Sequence, residues 1–114
     1  MMRPAPLHGE TMRLAAMILR LTEDPVISRS PLSRRLQEGA LRLLDHVVLA
    51  LAGIDRQRRL AAADAELQTL RAHLLLALEM RMLEEDRFMT VAESVHHVGR
   101  QLGGWIKKIK AQSA

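Results

Sequence analysis

The chain has 114 residues, a formal net charge of +4 and no cysteine. This length suits one domain with a single hydrophobic core. The lack of cysteine excludes disulfides, thiol nucleophiles and thiolate metal sites. Aromatic residues make up only 2% of the sequence, whereas leucine, alanine, methionine and arginine, which all favour helices, are abundant. We therefore predict an all-α protein whose excess of positive charge favours an acidic partner such as nucleic acid.

Prolines and glycines divide the sequence into four predicted helices. A flexible N-terminal segment over residues 1–9 precedes the first helix, which is predicted over residues 10–23. A loop follows as far as Ser30 and Pro31, which suit an N-cap and the first position of a helix. The second helix then runs to about Ala52 and is ended by Gly53.

Acidic residues mark the predicted starts of the last two helices. Asp55 is expected to cap a third helix that reaches about Met82. The acidic run at residues 84–86 suits the start of a fourth helix, because carboxylates stabilise the positive end of a helix. The fourth helix is predicted to end at residue 110, which leaves residues 111–114 as a C-terminal tail.

Apolar residues recur at steps of three and four along the last three helices, and each series forms one helical stripe. Short links make the second and third helices antiparallel, and likewise the third and fourth. The sequence therefore predicts a single domain over residues 10–110 that folds as an antiparallel four-helix bundle. The stripe positions are Leu32, Leu36, Ala40, Leu43, Val47 and Leu51; Leu60, Ala63, Leu67, Leu70, Leu74 and Ala77; and Phe88, Val91, Val95, Val98, Leu102, Ile106 and Ile109.

The first and third predicted helices lack a polar side. A helix that is apolar nearly all round is buried on more than one side, and leftover apolar surface usually marks an interface. We expect self-association, although a central third helix with alanine as surface filler is the alternative. Opposite the stripe of the third helix lie Ala61, Ala62, Ala65, Ala72, Leu76 and Met80.

Enzymatic and metal-binding motifs are poorly represented. Glu93 and His96 have the Glu-x-x-His spacing of di-iron bundles, but a second such motif and further inward carboxylates are missing. The sequence also has no nucleophile elbow and no phosphate-binding glycine loop. We therefore predict no catalytic residue, no metal site and no cofactor. No apolar run approaches the ~20 residues that cross a bilayer, so we expect no membrane association and a cytoplasmic protein.

Basic residues provide the better candidates for binding. Arginines at the positive start of the third helix have no electrostatic reason to lie there, which favours contact with phosphate groups. No aromatic residue is interleaved with the basic patches, so we expect contact with the nucleic-acid backbone rather than base stacking. The basic residues at issue are Arg56, Arg58 and Arg59 at the start of the third helix, and Arg100, Lys107 and Lys108 on the fourth.

Three segments resemble the accessory variability determinant (Avd) of diversity-generating retroelements and the wider group of four-helix proteins encoded in intervening sequences of bacterial 23S rRNA genes. The fourth helix carries Val-Gly-Arg-Gln-Leu-Gly-Gly-Trp-Ile-Lys over residues 98–107, which is similar to the ending of that family. The third helix resembles the family over residues 60–74, and the second over residues 32–41, although the Gly-Gln or Gly-Glu usually found before that helix is missing. The family positions matched are Asp64, Arg71, Gly99, Arg100, Gly103, Gly104 and Trp105.

The resemblance implies a non-enzymatic basic four-helix bundle that forms a homopentamer. Such a protein binds a reverse transcriptase and its template RNA or cDNA, and so supports mutagenic reverse transcription. Arg71 and Arg100 are the expected contacts to polymerase or nucleic acid. Asp64, with the Gly103–Trp105 run, is expected at a subunit interface or in packing.

Two alternatives remain open at this point. One is a self-assembling bundle of the rRNA-intervening-sequence type, which has a structural or general nucleic-acid-binding role and no polymerase partner. The other is a metal-dependent bundle enzyme.

Overall fold

The structure, a computed structural model, describes residues 6–113, which form five helices and contain no strand. The all-α prediction is therefore confirmed. Residues 1–5 of the predicted flexible segment and residue 114 of the predicted tail lie outside the described residues. The helices are α1 (Pro6–Leu21), α2 (Pro25–Ser28), α3 (Pro31–Leu51), α4 (Arg56–Glu79) and α5 (Glu85–Ser113).

Helix α1 begins earlier than predicted. It starts at Pro6 rather than at residue 10, and Leu7 in its first turn is buried. Proline is favourable in the first turn because its missing N–H has no partner there in any case. Towards the other end of the chain, α5 extends to Ser113, so residues 111–113 of the predicted tail continue the helix.

The predicted loop after α1 contains the one-turn helix α2. Asp24 caps this helix, since its Oδ1 atom accepts a 2.9 Å hydrogen bond from the Val26 N–H, and Pro25 follows at the first helical position. The Oδ2 atom of Asp24 also accepts a 3.2 Å hydrogen bond from Arg87, and this bond links the start of α2 to α5. A four-residue helix is too short to show apolar periodicity, which is why the sequence pattern predicted only a loop here.

The start of α3 matches the prediction, but the capping of α4 does not. The Ser30 side chain accepts a 3.1 Å hydrogen bond from the Leu32 N–H, and Pro31 takes the first helical position. Asp55 does precede α4, but its backbone is left-handed with φ 51°, and its side chain caps no N–H. The Asp55 carboxylate pairs with Arg58 instead, so the predicted cap is wrong.

Helices α3 and α4 end in the same kind of turn. After α3, Gly53 adopts φ 79°, and the N–H of Ile54 donates back to the Leu49 carbonyl at 2.9 Å. After α4, Arg81 adopts φ 57°, and the N–H of Met82 donates to the Ala77 carbonyl at 2.9 Å. Both are Schellman motifs. The predicted stop at Gly53 is confirmed, while α4 ends at Glu79 rather than about Met82.

One hydrophobic core holds the long helices together. Helix α1 packs against α3 and α5, and α4 packs against the same two helices from the other side. The predicted stripe positions of α3 and α4 are buried except Leu51, which is half-buried. On α5 the residues from Val91 to Leu102 that belong to the stripe are buried, while Phe88, Ile106 and Ile109 pack against the core with partial exposure.

Over the residues that the structure describes, none of the helices combines the length and the apolar character needed to cross a lipid bilayer.

Candidate nucleic-acid and partner interface

A close approach of two helices shapes the first candidate site. A Cβ atom on Gly99 of α5 would lie 3.4 Å from the Cδ2 atom of Leu67 on α4. This distance is at the short end of an ordinary van der Waals contact, so α4 and α5 approach each other closely at this level, next to Arg100. On α4, Asp64 and Arg71 lie two turns apart on the edge that faces α5. Asp64, Arg71 and Arg100 therefore border one groove, although Arg100 lies far from the other two in the sequence.

This groove, which we call the α4–α5 groove, has a volume of about 550 Å³. Its floor is apolar, and its rim carries Asp64, Gln68 and Arg71 from α4 and His96 and Arg100 from α5. An apolar floor with a few polar groups at the edge is the usual composition of a binding site. The apolar lining residues are Leu67, Leu74, Leu75, Phe88, Met89, Ala92 and Val95.

Three charged side chains at the rim of the α4–α5 groove have no ion-pair or hydrogen-bond partner among the described residues. Asp64, Arg71 and Arg100 make no ion pair and no side-chain hydrogen bond with the residues that the structure describes. Arg71 and Arg100 are exposed. Charges without an internal partner can pair with a ligand without first breaking a contact in the protein.

The arginines at the start of α4 are held in internal contacts. The Arg56 Nε donates to the Ala50 carbonyl at 3.0 Å, and the Arg58 guanidinium pairs with Asp55. The Arg59 Nη1 lies 3.2 Å from the His46 Nδ1. These internal contacts explain why the three arginines lie at the start of α4, for which no electrostatic reason was expected. Their contact with nucleic acid stays a prediction.

A second pocket lies where Trp105 of α5 meets the start of α4. The Arg56 guanidinium carbon lies 5.3 Å from the centre of the Trp105 ring, within the range of a cation–π interaction. Lys108 and Gly104 also line this pocket, which we call the tryptophan pocket and which has a volume of about 510 Å³. Since Trp105 contacts Arg56 and lines a pocket with Lys108, the expectation that no aromatic residue joins the basic patches is wrong. Arg56 and Trp105 are too far apart in the sequence for their contact to be predicted.

No contact within the described chain requires glycine, rather than a residue with a side chain, at positions 103 and 104 of α5. A Cβ atom on Gly103 or Gly104 would meet no atom within 4 Å. Trp105, by contrast, packs against the core with partial exposure. A role of the glycines at a subunit interface stays a prediction.

The Glu-x-x-His pattern does not assemble a metal site among the described residues. The Glu93 Oε1 lies 3.6 Å from the Nε2 of His97, while His96 lines the α4–α5 groove. No group of three or more His, Asp or Glu side chains within residues 6–113 is arranged to hold a metal ion.

Comparison with known protein families identifies the relationship of this chain. The family model described as bAvd-like matches residues 11–109 of the chain. The match includes α3 and α4 completely, together with most of α1 and α5, so it covers both the α4–α5 groove and Trp105. No curated protein matches the chain.

Proposed function

Because the chain belongs to the bAvd-like family, we propose that it is a non-enzymatic accessory protein of a diversity-generating retroelement. In this role it binds the reverse transcriptase together with template RNA or cDNA, and so supports mutagenic reverse transcription. The proposal locates the protein in the cytoplasm, where such an element is transcribed, and requires no cofactor.

The α4–α5 groove carries the proposal for the polymerase contact. Its apolar floor can accept side chains of a protein partner, while Arg71 and Arg100 at the rim can pair with carboxylates. Both arginines occupy family positions, and neither has an internal partner among the described residues. Nucleic-acid contact is assigned to exposed cations outside the groove, including Lys107 and Lys108 of α5. A net charge of +4 supports such contact.

The proposed architecture is an antiparallel four-helix bundle made by α1, α3, α4 and α5. Contacts between α3 and α4 support it. Early in α4, Arg59 contacts His46, and two turns later Glu66 accepts a 3.0 Å hydrogen bond from Arg42. The residue number of the partner on α3 therefore falls as the residue number on α4 rises, as expected for antiparallel helices. The hydrogen bond between Arg42 and Glu66, together with the negative charge of the Glu66 carboxylate, raises the pKa of Arg42.

A homo-oligomer, and a homopentamer by family resemblance, is part of the proposal. Large apolar side chains remain uncovered on the outer face of α4, where Leu76 is 45% exposed and Met80 is 60% exposed. Met12 and Leu19 are likewise exposed on α1. Association of copies through these faces would cover apolar surface that is unfavourable in water.

Co-purification with a reverse transcriptase tests the proposal. The chain is tagged and co-expressed with the reverse transcriptase encoded by the neighbouring gene. We expect the polymerase to co-purify with the unmodified chain and to be lost when Arg71 and Arg100 are both replaced by Glu. Arg20→Glu on α1 is the matched control, because Arg20 is exposed but lies outside the groove. Absence of a neighbouring reverse transcriptase gene, or no co-purification, would contradict the adaptor role.

The exposed apolar faces of α1 and α4 also support the second candidate, a self-assembling bundle without a polymerase partner. This alternative predicts a defined oligomer in light scattering that binds no reverse transcriptase. The two candidates therefore differ in one measurement, the co-purification of the polymerase.

A further inference from the structure

The polar lining of the tryptophan pocket contains cations and amides but no carboxylate among the residues that the structure describes. Arg56 and Lys108 supply the positive charge, and Gln101 and Gln112 supply amide donors and acceptors. A pocket with this lining repels no anion and offers hydrogen bonds in both directions. It suits a ligand that combines negative charge with a polar, planar body.

Trp105 lines the same pocket with the part of its ring that Arg56 and the core leave exposed. Nucleobases stack on aromatic side chains in proteins that bind single-stranded nucleic acid, and this stacking tolerates any base. The pocket volume of about 510 Å³ falls in the range of ordinary ligand sites. From this combination we infer that the tryptophan pocket binds an unpaired nucleotide of single-stranded RNA, with its base packed against Trp105 and its phosphate held by Arg56 and Lys108.

Arg56 is fixed in position but keeps hydrogen-bonding capacity. Its Nε donates to the Ala50 carbonyl, and its guanidinium lies over the Trp105 ring. A guanidinium carries five N–H donors, and the remaining ones have no acceptor among the described residues. These donors are therefore available for a phosphate group, whose geometry a guanidinium matches well.

Gly104 explains why the pocket is open. It lies in the pocket wall, and a Cβ atom on it would meet nothing within 4 Å. A glycine within a helix is unfavourable by about 1 kcal/mol relative to alanine. Space for a ligand gives a reason for Gly104 that packing within the described chain does not.

This pocket shares no lining residue with the α4–α5 groove, which is assigned to the polymerase. The inference rests on the proposed function in one respect, that the ligand is RNA. It adds a second site and specifies the form of the RNA, namely single-stranded with an unpaired base.

Intrinsic fluorescence gives a direct readout, because Trp105 is the only tryptophan and the chain has no tyrosine. We expect a short single-stranded oligouridylate to quench this fluorescence in a saturable manner, and a duplex RNA of the same length to quench it much less. Equal quenching by the duplex, or binding of oligouridylate without any change in fluorescence, would overturn the inference.

Variants are compared through the anisotropy of a dye-labelled oligouridylate. Trp105→Leu should weaken binding about tenfold or more, whereas Trp105→Phe, which keeps an aromatic face and the core packing, should retain most of the affinity. Lys108→Ala should weaken binding roughly twofold to fivefold and lower the salt slope by about 1. Arg20→Ala, which removes an exposed positive charge on α1 outside the pocket, is the control. Equal affinity of Trp105→Leu and the unmodified chain, with both folded by circular dichroism, would overturn the inference.

The variant Gly104→Leu distinguishes between two roles of Gly104, one in a ligand pocket and one in a subunit contact. Its side chain has room in the isolated chain but would fill the pocket. We expect loss of oligouridylate binding with an unchanged mass in light scattering. A changed oligomer with unchanged RNA affinity would overturn the inference. Co-purification of the reverse transcriptase is scored separately, so its failure would contradict the proposed adaptor role without affecting this site.

Discussion

The Cδ2 atom of Leu67 lies 3.4 Å from the position that a Cβ atom on Gly99 would occupy. Helices α4 and α5 are therefore as close at this level as an ordinary side-chain contact allows. Both residues line the α4–α5 groove beside Arg100.

The glycines of α5 should differ in their response to alanine. Gly104→Ala should stabilise the fold by about 1 kcal/mol, because alanine favours the helix and its Cβ meets no neighbour. Gly99→Ala should gain less, because the new methyl group contacts Leu67. Urea unfolding followed by circular dichroism measures both, and a larger gain at Gly99 than at Gly104 would contradict the close approach.

Both Schellman turns favour glycine at their left-handed position, so a substitution to glycine and one away from glycine should have opposite effects on stability. Arg81→Gly should stabilise the fold by about 1 kcal/mol, since φ 57° is unfavourable for a side chain with a Cβ atom. Gly53→Ala should destabilise it by a similar amount, because Gly53 adopts φ 79°. Thermal unfolding of the two variants tests this pair. Effects of the same sign would contradict the turn geometry.

Neighbouring leucines of α3 should differ sharply in their contribution to stability. Leu43 is fully buried, whereas Leu41 is 47% exposed. Leu43→Ala should lower the free energy of unfolding by about 2–5 kcal/mol through lost burial and the cavity that remains. Leu41→Ala should change the free energy of unfolding by much less. Comparable losses in urea unfolding would show that Leu41 is covered in solution, as an oligomer contact would require.

The helical pattern could be predicted because apolar spacing and capping residues are local. The stripes from Leu32 to Leu102 and the stop at Gly53 follow from periodicity and backbone preference. Helix α2 was missed because one turn shows no periodicity. The cap at Asp55 was predicted wrongly, because residue type does not reveal that the carboxylate pairs with Arg58 and that the backbone is left-handed.

The sites depended on contacts between distant parts of the chain. Sequence spacing placed Asp64 and Arg71 on one helix edge, but it did not show that Arg100 faces the same groove. The contact between Arg56 and Trp105 joins the first turn of α4 to the last third of α5. Such a pairing depends on how the helices pack, so one sequence without this information could not predict it.

The exposed apolar face of α4 should support self-association. Replacing both Leu76 and Met80 with Gln should lower the molecular mass measured by light scattering, because it removes exposed apolar surface. Val26→Gln is the control, since Val26 is exposed but lies on α2. A monomeric unmodified chain, or an unchanged oligomer in the double variant, would contradict an interface on this face.

Reconstituted cDNA synthesis tests the adaptor role most directly. The reverse transcriptase that the proposal expects in the neighbouring gene is incubated with its template RNA, with and without the purified chain. We predict that cDNA accumulates only when the chain is present, and that the double variant Arg71→Glu, Arg100→Glu fails to support its synthesis although it remains folded. Equal cDNA yield in the absence of the chain would contradict the account.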